Sequence, residues 1–355
     1  MGKIVCFAGN GPEYIWAYCP SFAAAMIFVV LFGLTSCAHI FQAIMYRKPF
    51  AMVLIMGALW ETGGYVARII SIENQHQSGV YTVQLLLILL APLWINAYIY
   101  MLLGRMIHFF LPKGEDKVYK IRARSITRMF VLFDITAFIV QAAGGTMTGP
   151  GSSAKVQKTG LNIYTGGVGI QLFFLVIFVS LAVGLQRKIN ALKRSFAKSG
   201  YIDEESRYEP MTLPGQSEFR VDSPSPELAG DLKLTVPLLR LVYVTLGLII
   251  LRNIYRLVEF GIGMNSPTVT HEWYSYVFDA VPMFFALIIL NVFYPGKYLK
   301  GERADFSVED KERKLMKKEV KQQKKEDKLE RKAAKKEKKG NAKYEVLNRS
   351  PSPLP

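Results

Sequence analysis

The chain has 355 residues, 51% of them hydrophobic, and a formal net charge of +16. Long apolar stretches recur as far as Pro295, whereas Lys and Glu dominate the sequence after Gly296. This segregation excludes a single soluble core with evenly spread charge and indicates a membrane domain followed by a solvated tail.

The segment ahead of the first apolar stretch, residues 1–20, is predicted to be an extracellular N-terminus. It contains Cys6 and Cys19, two of the three cysteines in the chain. One disulfide bridge and two free thiols are equally compatible with that spacing. The first apolar run begins too late and is too long for a signal peptide, so we expect an uncleaved first helix.

Seven stretches are long and apolar enough to span a bilayer, which requires about 20 residues of helix. They run from Ser21 to Met45, Phe50 to Ser71, Tyr81 to Ile107, Ile126 to Met147, Asn162 to Gln186, Thr235 to Glu259 and Glu272 to Tyr294. The sequence therefore predicts an all-α, polytopic membrane protein with a seven-transmembrane helix bundle over residues 21–296.

The connections between these stretches alternate in charge. The basic ones contain Arg47, Lys48, Lys113, Lys117, Lys120, Arg122, Arg124, Arg128, Arg187, Lys188, Lys193, Arg194 and Lys198. The opposite ones hold only Glu73, His76, Lys155, Lys158 and His271. Because basic loops stay on the cytosolic side, the pattern predicts an extracellular N-terminus and a cytosolic C-terminus.

Ionised side chains inside these helices are costly in lipid, so we expect them to face the bundle interior. Glu61 lies about halfway along the second helix, and Arg68 follows seven residues later on the same face. The other candidates are Asp134 and Gln141 on the fourth helix, Arg252, Arg256 and Glu259 on the sixth, and Asp279 on the seventh. Together they predict a polar, outward-opening cavity that binds substrate. The alternative is that they form buried ion pairs that only tie helices together.

Small residues and a proline mark special backbone positions in the predicted helices. Gly144 and Gly145 have no side chains, so they permit close approach of a neighbouring helix. Pro282 lacks a backbone donor and predicts a kink or opening in the seventh helix. His39 is more typical of a hydrogen-bonded core histidine than of a haem or metal ligand.

Two segments stand outside the predicted bundle. Residues 187–234 turn rich in Pro, Ser and Glu and are predicted to form a disordered cytosolic loop within the membrane domain, with proline-directed phosphosites. Residues 297–355 form a basic, charged cytosolic tail. From Ser307 to Lys339 the tail mixes Lys and Glu at helical spacing. A solvated charged helix and a segment attracted to anionic inner-leaflet lipids are equal alternatives.

Motifs of several enzyme and pump classes are absent from the sequence. It has no Gly-rich phosphate loop, no His-Glu-x-x-His and no Gly-x-Ser-x-Gly. We therefore expect no enzyme activity, no catalytic residues, no metal or other cofactor and no nucleic-acid partner.

A set of characteristic segments extends over nearly the whole membrane domain. It comprises Tyr18-Cys19-Pro20-Ser21, Gly57 to Arg68, Tyr81, Gln84, Leu89-Leu90-Ala91-Pro92, Tyr100-Met101, Leu103-Gly104-Arg105, Asp134, Phe138, Gln141, Gly144, Gly145, Gln171, Arg252, Arg256, Glu259, His271-Glu272, Tyr276, Asp279, Pro282 and Met283. On these residues the chain resembles the fungal RTA-like lipid-translocating exporters, the family of aminocholesterol-resistance and sphingoid long-chain base release proteins. Tyr294 departs from the family, many of whose members have His there.

The resemblance implies a fungal, multi-pass plasma-membrane protein whose partners are membrane lipids and an amphipathic lipid substrate. The implied function is export or transbilayer translocation of sphingoid long-chain bases, sterol-like amines or similar toxins, which gives stress resistance. A cationic amine headgroup would be drawn to Glu61. The alternative is a seven-helix lipid or stress sensor that signals through the cytosolic loop and tail, although Gly104-Arg105-Met106 lacks the acidic residue usual in G-protein-coupled receptors.

Overall fold

The computed structural model describes residues 16, 18–47, 50–111, 117–119, 121–148, 152–198, 234–263, 266–299, 306 and 314–332. These residues include seven helices that are long and apolar enough to cross a membrane. The first six are α1 (Phe22–Tyr46), α2 (Ala51–Glu73), α3 (Ser78–Phe110), α4 (Ala123–Met147), α5 (Ala154–Lys198) and α6 (Thr235–Gly261). The seventh, α7, joins an α-helical turn (Glu272–Ser275), a π-helical segment (Tyr276–Ala280) and an α-helix (Val281–Val292). The predicted all-α seven-helix bundle is confirmed, and the orientation of its termini stays a prediction.

The helices pack in chain order, each on the next, and α7 returns to α1 to close the bundle. The central helix is α3, which also contacts α5 and α6. In its most apolar 18-residue segment, 61% of the residues are buried, compared with 28% in the corresponding segment of α4. Successive helices are antiparallel. We call the end where α1, α3, α5 and α7 begin the N-terminal end, and the opposite end the basic end.

Glycine lets two of the helices approach to backbone contact. A Cβ on Gly144 of α4 would lie 2.4 Å from the backbone nitrogen of Tyr164 on α5, so only glycine fits there. The predicted close approach is confirmed for Gly144. A Cβ on Gly145 would make an ordinary 3.7 Å contact with the Tyr164 ring, so that glycine is not required by packing.

The π-helical segment of α7 lies directly before Pro282. The backbone N–H of Val281 donates to the carbonyl of Tyr276, five residues earlier, instead of four as in an α-helix. Since Pro282 has no N–H, the helix lacks one ordinary donor at this point and can adopt the wider turn. The opening predicted from Pro282 takes this form, and it contains Asp279.

Helix α5 corrects the predicted loop boundary. The helix continues to Lys198, so residues 187–198, predicted to begin a disordered loop, form its last three turns. Leu185 and Ile189 are buried one turn apart, and this apolar face continues the helix past the end of the membrane-spanning stretch. The remainder of the predicted loop up to residue 233 lies outside the described residues.

A small hairpin between α3 and α4 was not predicted. Strands β1 (Lys117–Val118) and β2 (Ile121–Arg122) pair antiparallel at the basic end. The hairpin packs on α5 at Gly184, where a Cβ would lie 2.7 Å from the Tyr119 ring. Two-residue strands are too short for their alternation to be visible in a sequence.

Both termini contain features that the sequence left open. Cys19 is disulfide-bonded and Cys37 is a free thiol, while Cys6 lies outside the described residues.

The chain divides into two compact units, Met1–Lys300 and Gly301–Pro355. In the second unit, residues 314–332 are helical and every one of them is exposed, as in a solvated charged helix.

Candidate functional site

A cavity of about 340 Å³ lies at the N-terminal end of the bundle. Its walls come from α2 to α7 and from the segment ahead of α1, which contributes Trp16 and Tyr18. Four of the predicted site residues line it: Arg68, Arg256, Glu259 and Asp279. The other four, Glu61, Asp134, Gln141 and Arg252, do not line it.

Asp279 joins two arginines of α6 to α7. Its Oδ1 lies 2.5 Å from Arg252 Nε, and its Oδ2 accepts a hydrogen bond from Arg256 Nη2. Arg256 also donates through Nη1 to Glu259 Oε2 at 2.9 Å, and the Tyr255 hydroxyl donates to Glu259 Oε1 at 2.9 Å. These four charged side chains are therefore buried as a paired cluster, as an apolar environment requires.

Arg252 of α6 also forms a hydrogen bond to the backbone of α3. Its Nη2 donates to the backbone carbonyl of Ile88 at 3.3 Å. Pro92 lies inside α3 four residues later and has no N–H, so the Ile88 carbonyl has no helical donor. Arg252 thus satisfies a backbone acceptor that lipid could not hydrogen-bond.

Arg68 forms a second charged cluster with the segment ahead of α1. Its Nη2 donates to Glu272 Oε1 at 2.7 Å and to the Tyr18 hydroxyl at 3.0 Å, and its guanidinium lies 4.8 Å from the centre of the Trp16 ring. Glu272 Oε2 accepts from the backbone N–H of Ser21 at 2.7 Å. These contacts hold Trp16 and Tyr18 over the ends of α2 and α7, where both residues line the cavity.

Glu61 lies one helical turn deeper in α2 than Tyr65, which lines the cavity. It is 1% exposed, and its Oε1 has no hydrogen-bond partner among the described residues. It interacts electrostatically with Asp279, Arg252 and Arg256. The structure therefore places Glu61 next to the ion-paired cluster but behind the cavity wall.

The charges around the cavity balance without Glu61. The three arginines are Arg68, Arg252 and Arg256, and the three carboxylates paired with them are Glu259, Glu272 and Asp279. Among these described groups Glu61 is the one carboxylate in excess, so no arginine depends on it for charge neutralisation.

Asp134 and Gln141 lie on a different face of the bundle interior. Asp134 Oδ2 accepts hydrogen bonds from Asn96 Nδ2 at 3.0 Å and from the Tyr100 hydroxyl at 2.9 Å, both on α3. Gln141 donates through Nε2 to Gln171 Oε1 of α5 at 2.9 Å. In this structure the two residues tie α4 to its neighbours.

Sequence reasoning missed several cavity residues. Glu272 does not itself line the cavity but pairs with Arg68, which does, and the sequence indicates Glu272 only as the start of the seventh apolar stretch. The sequence predicts Trp16 and Tyr18 only as part of the extracellular N-terminus. An aromatic pair directly ahead of an apolar helix is typical of the membrane interface, and that signal could have indicated their position. The sequence indicates Tyr164 only as part of an apolar helix.

In the described part of the chain, no group of three or more His, Cys, Asp or Glu side chains is arranged to hold a metal ion. His39 is buried and hydrogen-bonds to the backbone of Leu287. It is thus placed as a core histidine.

Comparison with known proteins identifies the family. The family described as RTA1 like protein matches residues 54–302. The chain belongs to this family. The RTA1 match includes all eight predicted site residues, so the resemblance noted from the sequence is confirmed.

Curated relatives of this RTA1 chain include named transporters. It is 39% identical over 300 residues to the "Probable lipid transporter atnI" of Emericella nidulans, covering 84% of the chain and 71% of that relative. It is 28% identical over 313 residues to the "Protoporphyrin uptake protein 1" of Saccharomyces cerevisiae, covering 78% and 91%. It is 24% identical over 308 residues to the "Sphingoid long-chain base transporter RSB1" of Saccharomyces cerevisiae, covering 85% and 78%. No solved structure matches the chain.

Proposed function

We propose that this chain exports amphipathic lipids or lipid-like toxins, or translocates them across the bilayer, and thereby gives stress resistance. Sphingoid long-chain bases and sterol-like amines are the proposed substrate classes. The observation that carries the proposal is the cavity at the N-terminal end, where charged groups are held between apolar and aromatic walls. Relatives named as a probable lipid transporter and a sphingoid long-chain base transporter support it.

The proposed cargo suits both the walls and the charge of this site. An amphipath places its polar head among Arg68, Arg256, Glu259 and Asp279, while its chain stays against apolar side chains or lipid. An amine head adds one positive charge to a balanced set of ion pairs. Glu61, the carboxylate in excess behind the wall, offsets that charge.

In this proposal the predicted site residues Arg252, Asp134 and Gln141 position other parts of the bundle and do not contact the cargo. Arg252 holds Asp279 and the Ile88 carbonyl in place. Asp134 and Gln141 fix α4 against α3 and α5, so they shape the cavity without lining it.

The proposed orientation puts the cavity on the extracellular side of the plasma membrane, with the basic end and the tail in the cytosol. The charge bias of the connections supports this orientation. The exposed tail helix would then face the anionic inner leaflet, and its lysines would attract those lipids. No catalytic role is proposed.

A flux assay tests the transport proposal. Purified protein is reconstituted into vesicles, and transfer of a fluorescent sphingoid base between leaflets is compared with that in protein-free vesicles. Faster transfer supports a transporter. Transfer equal to that of empty vesicles, together with binding of the same lipid in detergent, would instead favour the seven-helix sensor.

A further inference from the structure

Three residues that line the cavity carry buried polar atoms without a hydrogen-bond partner among the described residues. The Oε1 of Gln84 and the hydroxyl of Tyr164 have no hydrogen-bond partner, although the two residues are only 3% and 1% exposed. The Nε of Arg256 also has no partner, because this arginine pairs with carboxylates only through Nη1 and Nη2. All three residues line the cavity.

The three residues line the same cavity from three different helices. Gln84 belongs to α3, Tyr164 to α5 and Arg256 to α6. Tyr164 interacts electrostatically with Arg256. The centre of the Tyr164 ring lies 4.2 Å from the centre of the Phe260 ring, and Phe260 lies one turn beyond Arg256 on α6. An unpaired buried donor or acceptor is costly, so these groups favour a ligand that completes their hydrogen bonds.

The chemistry of the three atoms specifies what that ligand offers. Gln84 Oε1 only accepts, Arg256 Nε only donates, and the Tyr164 hydroxyl does either. An ammonium group has donors alone and would leave Arg256 Nε unpaired. A hydroxyl group both donates and accepts, so it can complete the set.

Apolar side chains adjoin this set and suit the start of a hydrocarbon chain. Tyr164 packs in one buried cluster with Leu89 and Val168, and Phe260 lies against that cluster. A molecule with a hydroxyl next to its alkyl chain therefore matches both the polar atoms and their surroundings.

We propose that Gln84, Tyr164 and Arg256 Nε form a hydroxyl-binding subsite, by which the cavity selects hydroxylated amphipaths over otherwise identical lipids without hydroxyls. The inference rests on the proposed lipid-transport function and adds the headgroup feature that is recognised. It assigns specificity to hydrogen bonds with Gln84, Tyr164 and Arg256 and separates it from the charge offset by Glu61.

The test compares two fluorescent probes of equal chain length, a sphingoid base and its analogue in which the hydroxyls are replaced by hydrogen. Binding is measured first, as the thermal stabilisation of detergent-solubilised protein, and flux is then measured in vesicles. The variants are Tyr164→Phe and Gln84→Leu. Neither substitution breaks a described hydrogen bond, so both variants should fold.

Tyr98→Phe is the matched control. Tyr98 is fully buried and its hydroxyl also has no partner, but it does not line the cavity. We expect wild type and Tyr98→Phe to bind the hydroxylated probe about tenfold more tightly than the analogue, the effect of one good hydrogen bond. Tyr164→Phe and Gln84→Leu should each lose most of that preference.

Equal binding of the two probes by the wild type would overturn the subsite, as would an unchanged preference in both cavity variants. Because binding is measured apart from flux, the two proposals fail separately. A hydroxyl preference in binding without any flux would keep the subsite and reject transport. Flux of both probes, bound with equal affinity, would keep transport and reject the subsite.

Discussion

At the scale of single residues, the carboxylates of Asp279 and Glu61 differ in how many arginines they neutralise. Asp279 lies in the π-helical segment and neutralises two arginines at once. Glu61 forms no ion pair with an arginine among the described residues, because the arginines around it are already paired with other carboxylates. Burial alone does not separate the two residues, since Asp279 is 3% and Glu61 1% exposed.

Replacing Asp279→Asn should destabilise the fold strongly, because it removes the ion pair of Arg252 and leaves Arg256 paired with Glu259 alone. Breaking a buried ion pair from one side costs about 3–5 kcal/mol. Thermal unfolding in detergent measures the loss, and Glu61→Gln is the isosteric control that should unfold near the wild-type temperature. Equal destabilisation of the two variants would contradict the charge balance described above.

The same Glu61→Gln variant should be made normally and fail in function. Gln keeps the shape of the side chain but removes the charge that offsets a cationic amine. Cells carrying the variant are assayed for surface abundance and for survival on a toxic sphingoid base, with a vector-only strain as the control. We expect normal abundance and lost resistance. Full survival at normal abundance would show that this charge is dispensable.

Residue spacing predicted part of this site and missed the pairing. The seven-residue repeats placed Glu61 with Arg68 on one helix face, and Arg252 with Glu259 on another. Spacing within a helix carries no information about which residue of another helix it meets. The partner of Arg68, Glu272 on α7, therefore became visible only in the folded chain.

At the scale of elements, the contact between α4 and α5 depends on the absence of side chains. Without a hydrophobic driving force between helices in lipid, association relies on close packing at small residues. Gly144 faces the Tyr164 backbone, whereas a Cβ on Gly166 of α5 would meet nothing within 4 Å. The two glycines thus offer a matched pair.

Substituting Gly144→Ala should push α4 away from α5 and cost about 1–3 kcal/mol, the usual range for overpacking. Gly166→Ala should be neutral or stabilising by up to about 1 kcal/mol, since alanine favours a helix more than glycine does. Both are measured by thermal unfolding of the purified variants. If Gly144→Ala unfolds at the wild-type temperature, the two helices are not in the described contact.

The elements themselves were largely predictable, because apolar stretches of about 20 residues have few alternatives in a membrane. The failures occur where the local pattern gives no signal. The last turns of α5 are basic, so residues 187–198 resembled a loop. The π-helical segment lies before Pro282 and contains Asp279, whose ion pairs are with another helix. The local sequence gives no signal for such pairs. The β1–β2 hairpin is too short to show a period.

At the scale of the whole molecule, the connections at the basic end fix the proposed orientation. A tag fused after Pro355 should be reached by antibody only after cells are permeabilised, because basic connections remain in the cytosol. A tag on an extracellular marker protein serves as the control for intact cells. Labelling of the Pro355 tag without permeabilisation would reverse the topology and with it the side to which the cavity opens.

The tail is the part of the molecule that the bundle should tolerate losing. The chain divides into compact units between Lys300 and Gly301, and the described helical residues 314–332 of the second unit are all exposed. The described tail helix therefore brings no buried apolar surface to the folded protein, and burial of such surface is what stabilises a fold.

A chain ending at Lys300 should thus reach the membrane, remain monodisperse in detergent and unfold within about 0.5 kcal/mol of the full chain. Flux of a fluorescent sphingoid base should be equal for the two proteins in vesicles of neutral lipid. In vesicles containing anionic lipid, only the full chain should respond to added salt, because the Lys-rich tail would lose its electrostatic attraction to the surface. Aggregation of the truncated protein would show that the tail is part of the folded unit. An identical salt response of both proteins would show that the tail does not meet the membrane.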